Sequence, residues 1–155
     1  SQKERGHGGS FMIRLGIFKE AAIRIPRRDI EMLFTKIMKR EAGKRMQGKI
    51  NLIFTTDKNI RRLNQCFRKM NKPTDVLSFN VGLPTNSNAT FGEIYISVNT
   101  ARRQAREYGS TLHREFMRLF CHGLLHLLGY DHINSRDRTK MEAREKYFLN
   151  DYMVS

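Results

Sequence analysis

Residues 121–132, CHGLLHLLGYDH, constrain the fold of this chain more than any other segment. The run is apolar except for its last polar residues and three of the chain's five histidines, His122, His126 and His132. Because an α-helix repeats every 3.6 residues, His122 and His126 lie one turn apart on one face of the predicted helix. Gly129 is suited to end that helix, since glycine takes the left-handed backbone conformation at little cost. The turn that follows is expected to bring His132 back over the helix end, so that three imidazoles converge.

Three converging imidazoles predict a zinc site. A single histidine on such an apolar helix would be interpreted as a core residue, but three at this spacing favour a metal. A structural zinc requires four protein ligands, and Cys121 is a poor fourth one because adjacent helical residues point about 100° apart. The same angle argues against a Cys121–His122 nucleophile pair, and a buried structural thiol is the better interpretation. Three histidines with an open fourth position therefore predict a catalytic zinc, one per chain, that activates water.

The same segment is similar to the metalloprotease pattern H-E-x-x-H-x-x-G-x-x-H. All three histidines and the glycine match, but Gly123 occupies the position of the glutamate that serves those peptidases as general base. Peptide hydrolysis is therefore not expected. A phosphodiester is the favoured substrate, because its transition state gathers negative charge that a zinc ion and an arginine can share. Asp131 is either a hydrogen-bond partner of a ligand or a turn residue, and the sequence leaves both open.

The charge of the chain points to the same class of substrate. Lys and Arg number 29 against 15 Asp and Glu, a net charge of +14. A surplus of this size favours a polyanionic partner, since the neutralised phosphates release counterions. Nucleic acid is the first expected partner and an anionic membrane surface the second, and the alternative is a surface whose charge serves only solubility. No run approaches the roughly 18 apolar residues of a membrane span, and two cysteines, Cys66 and Cys121, suit a reducing cytoplasm.

The pattern of apolar residues predicts the fold class. Residues 12–155 are expected to form a single catalytic domain, and residues 1–11 a disordered or vector-derived leader. The class is α+β: a small mixed four-stranded sheet packed with about five helices, including a zincin-like central metal-binding helix. The strands are expected at 12–18, 49–55, 76–79 and 93–97, and the helices begin near 26, 57, 99, 111 and 135. The last helix is expected to end near Leu149.

The sequence also predicts the positions of several single residues in this fold. Asp57 is expected to cap the second helix, whose buried positions are Ile60, Leu63 and Phe67. Glu115 is expected on the surface of the histidine helix. Gly43 and Pro73 are expected to end or follow helices, and 82–92 is expected to be a turn-rich loop.

Three segments carry a resemblance to a known family. Residues 122–132 match the signature H-G-x-L-H-L-x-G-Y-D-H at every position, while 64–80 approximate N-x-x-Y-R-x-x-D-x-P-T-D-V-L-S-F-P and 92–97 approximate G-D-I-x-I-S. On these motifs the chain resembles the YbeY family of zinc-dependent endoribonucleases over residues 12–153. Among its departures from the pattern, Asn71 replaces an aspartate, Asn80 a proline and Glu93 an aspartate.

The resemblance implies a single-strand-specific endoribonuclease that acts in ribosomal RNA maturation, including the 3′ end of the small-subunit RNA, and in ribosome quality control. It implies His122, His126 and His132 as zinc ligands and Arg68 as the functional arginine of the cleft. By its own surroundings in the sequence, Arg68 would be interpreted as a solvated charge. The expected partners are single-stranded ribosomal RNA and the small ribosomal subunit, with no membrane, for a monomer in the cytoplasm.

Two other functions stay open. One is a metal-stabilised RNA-binding factor that assists ribosome assembly without cutting, and the other is a zinc hydrolase of a different substrate. The lack of a visible general base favours the first, whereas a site with only three protein ligands argues against it. Thr74 and Ser78 are interpreted as turn and strand residues, or as hydroxyls that orient water near the metal.

Overall fold

The computed structural model describes residues 12–42, 47–68, 74–81 and 89–153. Within these ranges the chain forms four strands and five helices, and the predicted α+β class is confirmed. The leader 1–11 and the predicted positions of Gly43 and Pro73 lie outside the described residues. In chain order the elements are β1 (Met12–Lys19), α1 (Arg27–Glu41), β2 (Gln47–Thr55), α2 (Asp57–Arg68), β3 (Val76–Asn80), β4 (Thr90–Ser97), α3 (Val98–Glu107), α4 (Leu112–Leu127) and α5 (Ser135–Met153).

The four strands form one mixed sheet in the order β1-β2-β4-β3. Strands β1, β2 and β4 run parallel, and β3 pairs antiparallel with β4. Parallel neighbours need long crossovers, which α1 provides between β1 and β2 and α2 with β3 provides between β2 and β4. The predicted mixed sheet is therefore confirmed, with the short strand β3 at one edge.

The core lies between one face of this sheet and the helices. Alternate residues of β2 and β4 supply fully buried side chains to it, namely Ile50, Leu52, Phe54, Ile94 and Ile96. Helix α1 adds Ile30, Leu33, Phe34, Ile37 and Met38, the apolar face that the sequence predicts. Helix α4 contacts β3, β4, α1, α3 and α5, so the histidine helix occupies the centre of the fold.

The start of α2 differs from the prediction. Thr56, not Asp57, caps the helix: the Thr56 hydroxyl accepts a hydrogen bond from the Asn59 backbone N–H at 3.3 Å. The Asp57 carboxylate instead accepts from the hydroxyls of Ser97 and Thr100 at the start of α3. Asp57 thus connects the start of α2 to the start of α3 and does not cap α2.

The last turn of α2 also differs. Ile60 is fully buried, but Phe67 is 68% exposed and the prediction that it belongs to the core is wrong. The ring of Phe67 packs at the edge of the sheet: its centroid lies 5.3 Å from that of Phe79 on β3. A position at the edge of the sheet buries one side of the ring and leaves the other in solvent.

Several boundaries move outward from their predicted places. Strand β4 begins at Thr90, three residues before the predicted start, because the pairing with β2 continues past Gly92 to Thr90. Helix α5 extends to Met153, beyond the predicted Leu149. Among the described helices, none combines the length and the apolar character needed to cross a bilayer.

Candidate metal centre

The three histidines of the signature segment line one cavity. His122 and His126 lie in the last two turns of α4, which is capped by the hydroxyl of Thr111 at its start and ends at Leu127. The ring centroid of His132 is 5.6 Å from that of His122 and 6.1 Å from that of His126. The cavity has a volume of about 190 Å³ and is lined by Thr74, Asp75, Val76, Ser78, His122, His126 and His132.

A tight turn returns the chain to the end of α4. Gly129 has a φ of 106°, in the region that favours glycine, so the predicted glycine turn is confirmed. The Asp131 carboxylate then accepts hydrogen bonds from the backbone N–H groups of His132, at 2.6 Å, and Ile133, at 3.1 Å. Asp131 is therefore a turn residue, one of the two roles that the sequence leaves open, and it fixes where His132 enters the cavity.

Glu145 of α5 engages one of the histidines from outside the cavity. Its Oε2 lies 2.5 Å from Nδ1 of His122. An ionised carboxylate only accepts hydrogen bonds, so Nδ1 carries the proton and the lone pair of the ring is on Nε2. A carboxylate behind an imidazole is the arrangement that orients histidine ligands in metal sites. Glu145 is not predicted from the sequence, because it lies on a helix rich in charged residues and 23 positions from His122.

The donor set fits a zinc ion in its chemistry. Zinc accepts imidazole nitrogens at about 2.0–2.1 Å, which would place the centres of two ligand rings roughly 5 Å apart. The observed separations of 5.6 and 6.1 Å are wider. Accordingly, across the described ranges no group of three or more His, Cys, Asp or Glu side chains is arranged to hold a metal ion as it stands.

Asp75 places a carboxylate in the same cavity. Its Oδ2 accepts a hydrogen bond from Nε2 of Gln104 at 3.3 Å and lies 3.8 Å from Nη2 of Arg118. Arg118 is itself paired with Glu115, with Nη2 2.6 Å from Oε2, and this hydrogen bond raises the pKa of the guanidinium. The predicted surface position of Glu115 is wrong: the residue is 2% exposed, because Arg118 satisfies its charge inside the fold.

Gly123 brings α4 unusually close to the sheet. A Cβ atom added to this residue would lie 2.8 Å from Cγ2 of Ile94 and 3.0 Å from Oγ of Ser78. The Ser78 hydroxyl already donates to the Gly123 carbonyl at 3.1 Å. A glutamate has no room at this position, so the absence of the peptidase base follows from the packing of the helix on β3 and β4.

The structure tests the prediction for Cys121 but not the prediction for Arg68. Cys121 is fully buried in the core, as predicted, and burial raises the pKa of its thiol. Arg68 is the last residue of α2, but its side chain lies outside the described residues, as do Lys69, Asn71 and Lys72. The role of Arg68 therefore stays a prediction.

Comparison with known proteins agrees with this arrangement. The model of a protein family described as Endoribonuclease YbeY matches residues 17–153. An Endoribonuclease YbeY of Heliobacterium modesticaldum is 46% identical over 113 residues, which cover 66% of this chain and 68% of that protein. An Endoribonuclease YbeY of Petrotoga mobilis is 35% identical over 139 residues, which cover 88% of this chain and 94% of that protein.

The fold is similar to that of a protein of Thermotoga maritima with a known solution structure. The TM-score is 0.58 at 26% identity, and the similarity covers 89% of this chain and 91% of the other. The match of the family model spans β2, β3, β4 and the histidine segment, and the relative from Petrotoga mobilis covers 88% of this chain. The chain therefore belongs to the Endoribonuclease YbeY family.

Proposed function

We propose that this protein is a zinc-dependent, single-strand-specific endoribonuclease of ribosomal RNA maturation and ribosome quality control. The proposal rests on three imidazoles and a carboxylate that line one cavity, in a chain of the YbeY family with a net charge of +14. The substrate is the 3′ region of the small-subunit RNA, and the protein acts on the small subunit as a cytoplasmic monomer. A strongly cationic surface favours RNA through its phosphates, whatever the sequence of the bases.

Each residue of the cavity has its own role in the proposed reaction. His122, His126 and His132 would hold one zinc ion, with Glu145 fixing the orientation of the His122 ring. When bound, the zinc supplies Lewis-acid stabilisation of the negative charge that gathers on the phosphate. Arg68, at the end of α2, would share that charge through its planar guanidinium.

Asp75 is the proposed proton acceptor. Its Oδ2 is engaged by Gln104 and Arg118, so Oδ1 is the oxygen to receive the proton of the attacking hydroxyl. The Thr74 hydroxyl donates a hydrogen bond to Oδ1 at 3.4 Å. This assignment supplies the base that position 123 lacks, from the bend before β3 instead of from the histidine helix.

Cleavage of an unstructured RNA, with and without a chelator, tests the proposal. The wild type should contain about one zinc per chain on nitrogen ligands only, cut the RNA, stop on chelation and leave casein intact. His126→Ala should lose both zinc and cleavage yet keep RNA affinity, which comes from dispersed Lys and Arg contacts. A zinc-loaded wild type that binds RNA but never cuts it would replace this proposal with the assembly-factor function.

The proposed roles of Asp75 and Arg68 are each tested with a separate variant. Asp75→Asn should lower the cleavage rate by about 10²-fold or more while zinc content is kept, as expected for loss of a general base. Arg68→Ala should lower the rate by about tenfold or more, and Arg68→Lys should recover part of it. Lys69→Ala is the control for charge alone. If Arg68→Ala and Lys69→Ala cause equal, purely salt-dependent losses, Arg68 is a phosphate anchor.

A further inference from the structure

The face of the sheet that points away from α4 carries an aromatic groove at its β3–β4 end. Ser78 and Ile94, a directly paired couple, face α4 at Gly123. Their neighbours Phe79 and Glu93 are also directly paired, and alternation along the strands places them on the opposite face. The groove has a volume of about 240 Å³ and is lined by Leu63, Phe67, Phe79, Asn80, Val81, Glu93 and Tyr95.

Three aromatic rings form a continuous series in this groove. The ring centroids of Phe67 and Phe79 are 5.3 Å apart, and those of Phe79 and Tyr95 are 6.0 Å apart. Phe67 is 68% exposed and Val81 is 49% exposed at the rim. An exposed cluster of aromatic side chains on a soluble protein indicates a binding surface, and aromatic rings on an open sheet face are a common platform for unstacked bases.

The charges of the groove select which part of a nucleic acid it accepts. Among the described residues that line the groove, Glu93 is the only one with a charged side chain, and its carboxylate repels a phosphate. Tyr95 donates a hydrogen bond to Oε1 of Glu93 at 3.0 Å, which holds the carboxylate in place as an acceptor. Carboxylates of this kind accept from the exocyclic amino group of a base. Arg61 and Arg62 are exposed on α2 beside Leu63, where they can meet the phosphates.

We propose that this groove binds one unstacked, amino-bearing base of the RNA substrate, next to the nucleotide that is cut. The proposal rests on the endoribonuclease function and adds to it a base-binding subsite. Strand β3 joins the two sites, because Ser78 lines the histidine cavity and the next residue, Phe79, lines the groove. The strand lies at the edge of the sheet, so a single strand of RNA can pass over it from one face to the other.

Other occupants fit the groove less well. At about 240 Å³ it is smaller than the roughly 300–1,000 Å³ of a pocket for a drug-sized ligand, and it suits one planar ring system. A second copy of the chain would bring another net charge of +14 against the first. RNA is the partner whose charge complements the surface around the groove.

Equilibrium binding of a short single-stranded RNA, followed by fluorescence anisotropy in the presence of chelator, tests the subsite without cleavage. Phe67→Ala should raise the Kd about fivefold or more, the lower range for loss of one base stack, without changing the dependence on salt. Phe67→Trp should restore the wild-type Kd to within about twofold, whereas Phe67→Leu should not, because only an aromatic face stacks. A single abasic nucleotide placed opposite the groove should remove the effect of Phe67→Ala.

Phe18 provides the matched control. It is a phenylalanine that is 53% exposed on β1, at the other edge of the sheet. Phe18→Ala should leave the Kd unchanged, and an equal loss in the two alanine variants would overturn the assignment of the base to this groove. So would an unchanged Kd in Phe67→Ala. If Phe67→Ala instead alters self-association in sedimentation experiments, the groove is a contact between copies and the proposal is wrong.

The choice of base is tested with the same assay. Oligo(C) should bind more tightly than oligo(U), and Glu93→Gln should narrow the difference, because an amide can also donate to the uracil carbonyl. Equal binding of the two by the wild type would remove Glu93 from the proposal. These binding measurements do not depend on cleavage. If the protein fails to cut RNA but the Phe67 variants change the Kd as expected, the subsite is supported and only the enzymatic function is wrong.

Discussion

The carboxylate of Glu145 on α5 holds Nδ1 of His122 on α4 at a distance of 2.5 Å. This contact joins the last helix of the chain to the histidine cavity, and it determines that Nε2 of His122 is the nitrogen able to bind a metal. A ring held in this way loses little freedom when a metal binds, so the cavity is partly organised in advance.

Glu145→Ala should lower the affinity for zinc by about 10–100-fold, as loss of an orienting carboxylate typically does. Glu145→Gln should have a smaller effect, because the amide oxygen still accepts the hydrogen bond. Competition with a chromophoric chelator measures the affinity. Glu142→Ala, an exposed glutamate one turn earlier on α5, is the control. Equal zinc affinities in the two alanine variants would show that Glu145 does not position the ligand.

Gly123→Ala should destabilise the protein by about 1–3 kcal/mol, the usual cost of overpacking a core. Alanine favours a helix by up to about 1 kcal/mol over glycine, but the new methyl would lie 2.8 Å from Ile94. Urea denaturation gives the free energy of unfolding, with Lys140→Ala on the exposed side of α5 as the control. A stabilised Gly123→Ala variant would mean that the helix and sheet separate easily at this point.

The two cysteines should react very differently with a thiol reagent. Cys66 is exposed, whereas Cys121 is fully buried, and burial raises the pKa of the Cys121 thiol. One thiol per chain should therefore react in the native protein and two after denaturation. Cys66→Ser should leave none that reacts in the native state. Rapid native labelling of Cys121 would contradict its place in the core.

The phenol of Tyr95 should ionise at a higher pH than that of a free tyrosine. Burial, followed by the hydrogen bond to Glu93, raises its pKa from 10.0 to about 12. In the unfolded chain the phenol loses its proton near pH 10, so its contribution to stability is complete below that pH and is lost between about pH 10 and 12. Spectrophotometric titration should show a phenol that ionises near pH 12 and is absent in Tyr95→Phe. An unchanged titration curve in that variant would refute the raised pKa.

The histidine cavity could be predicted from the sequence because its main determinants are local. Helical periodicity places His122 and His126 together, and the positive φ of Gly129 turns the chain so that His132 follows. All three residues lie within one short segment, where a pattern of spacing carries the geometry. The α+β class was predictable for a related reason, since most buried positions of the strands and of α1 follow regular periods.

The residues that the sequence did not predict depend on tertiary contacts. Glu145 and Asp75 reach the cavity from elements distant in the chain, and neither has a spacing that distinguishes it from other acidic residues. The burial of Glu115 depends on Arg118 and on the packing of α3 beside α4. The exposure of Phe67 depends on where the sheet ends. Arg68 is predicted by resemblance alone, because its own surroundings in the sequence are typical of a solvated charge.

Strand β3 has a consequence for how this family of sequences can vary. Its successive residues Ser78 and Phe79 belong to opposite faces of the sheet, one in the histidine cavity and one in the aromatic groove. A single inserted or deleted residue before Ser78 would exchange the two faces, whereas a substitution alters only one of them. Evolution can therefore adjust each face by point mutation, but the length of the segment from Thr74 to Phe79 is fixed by both faces together.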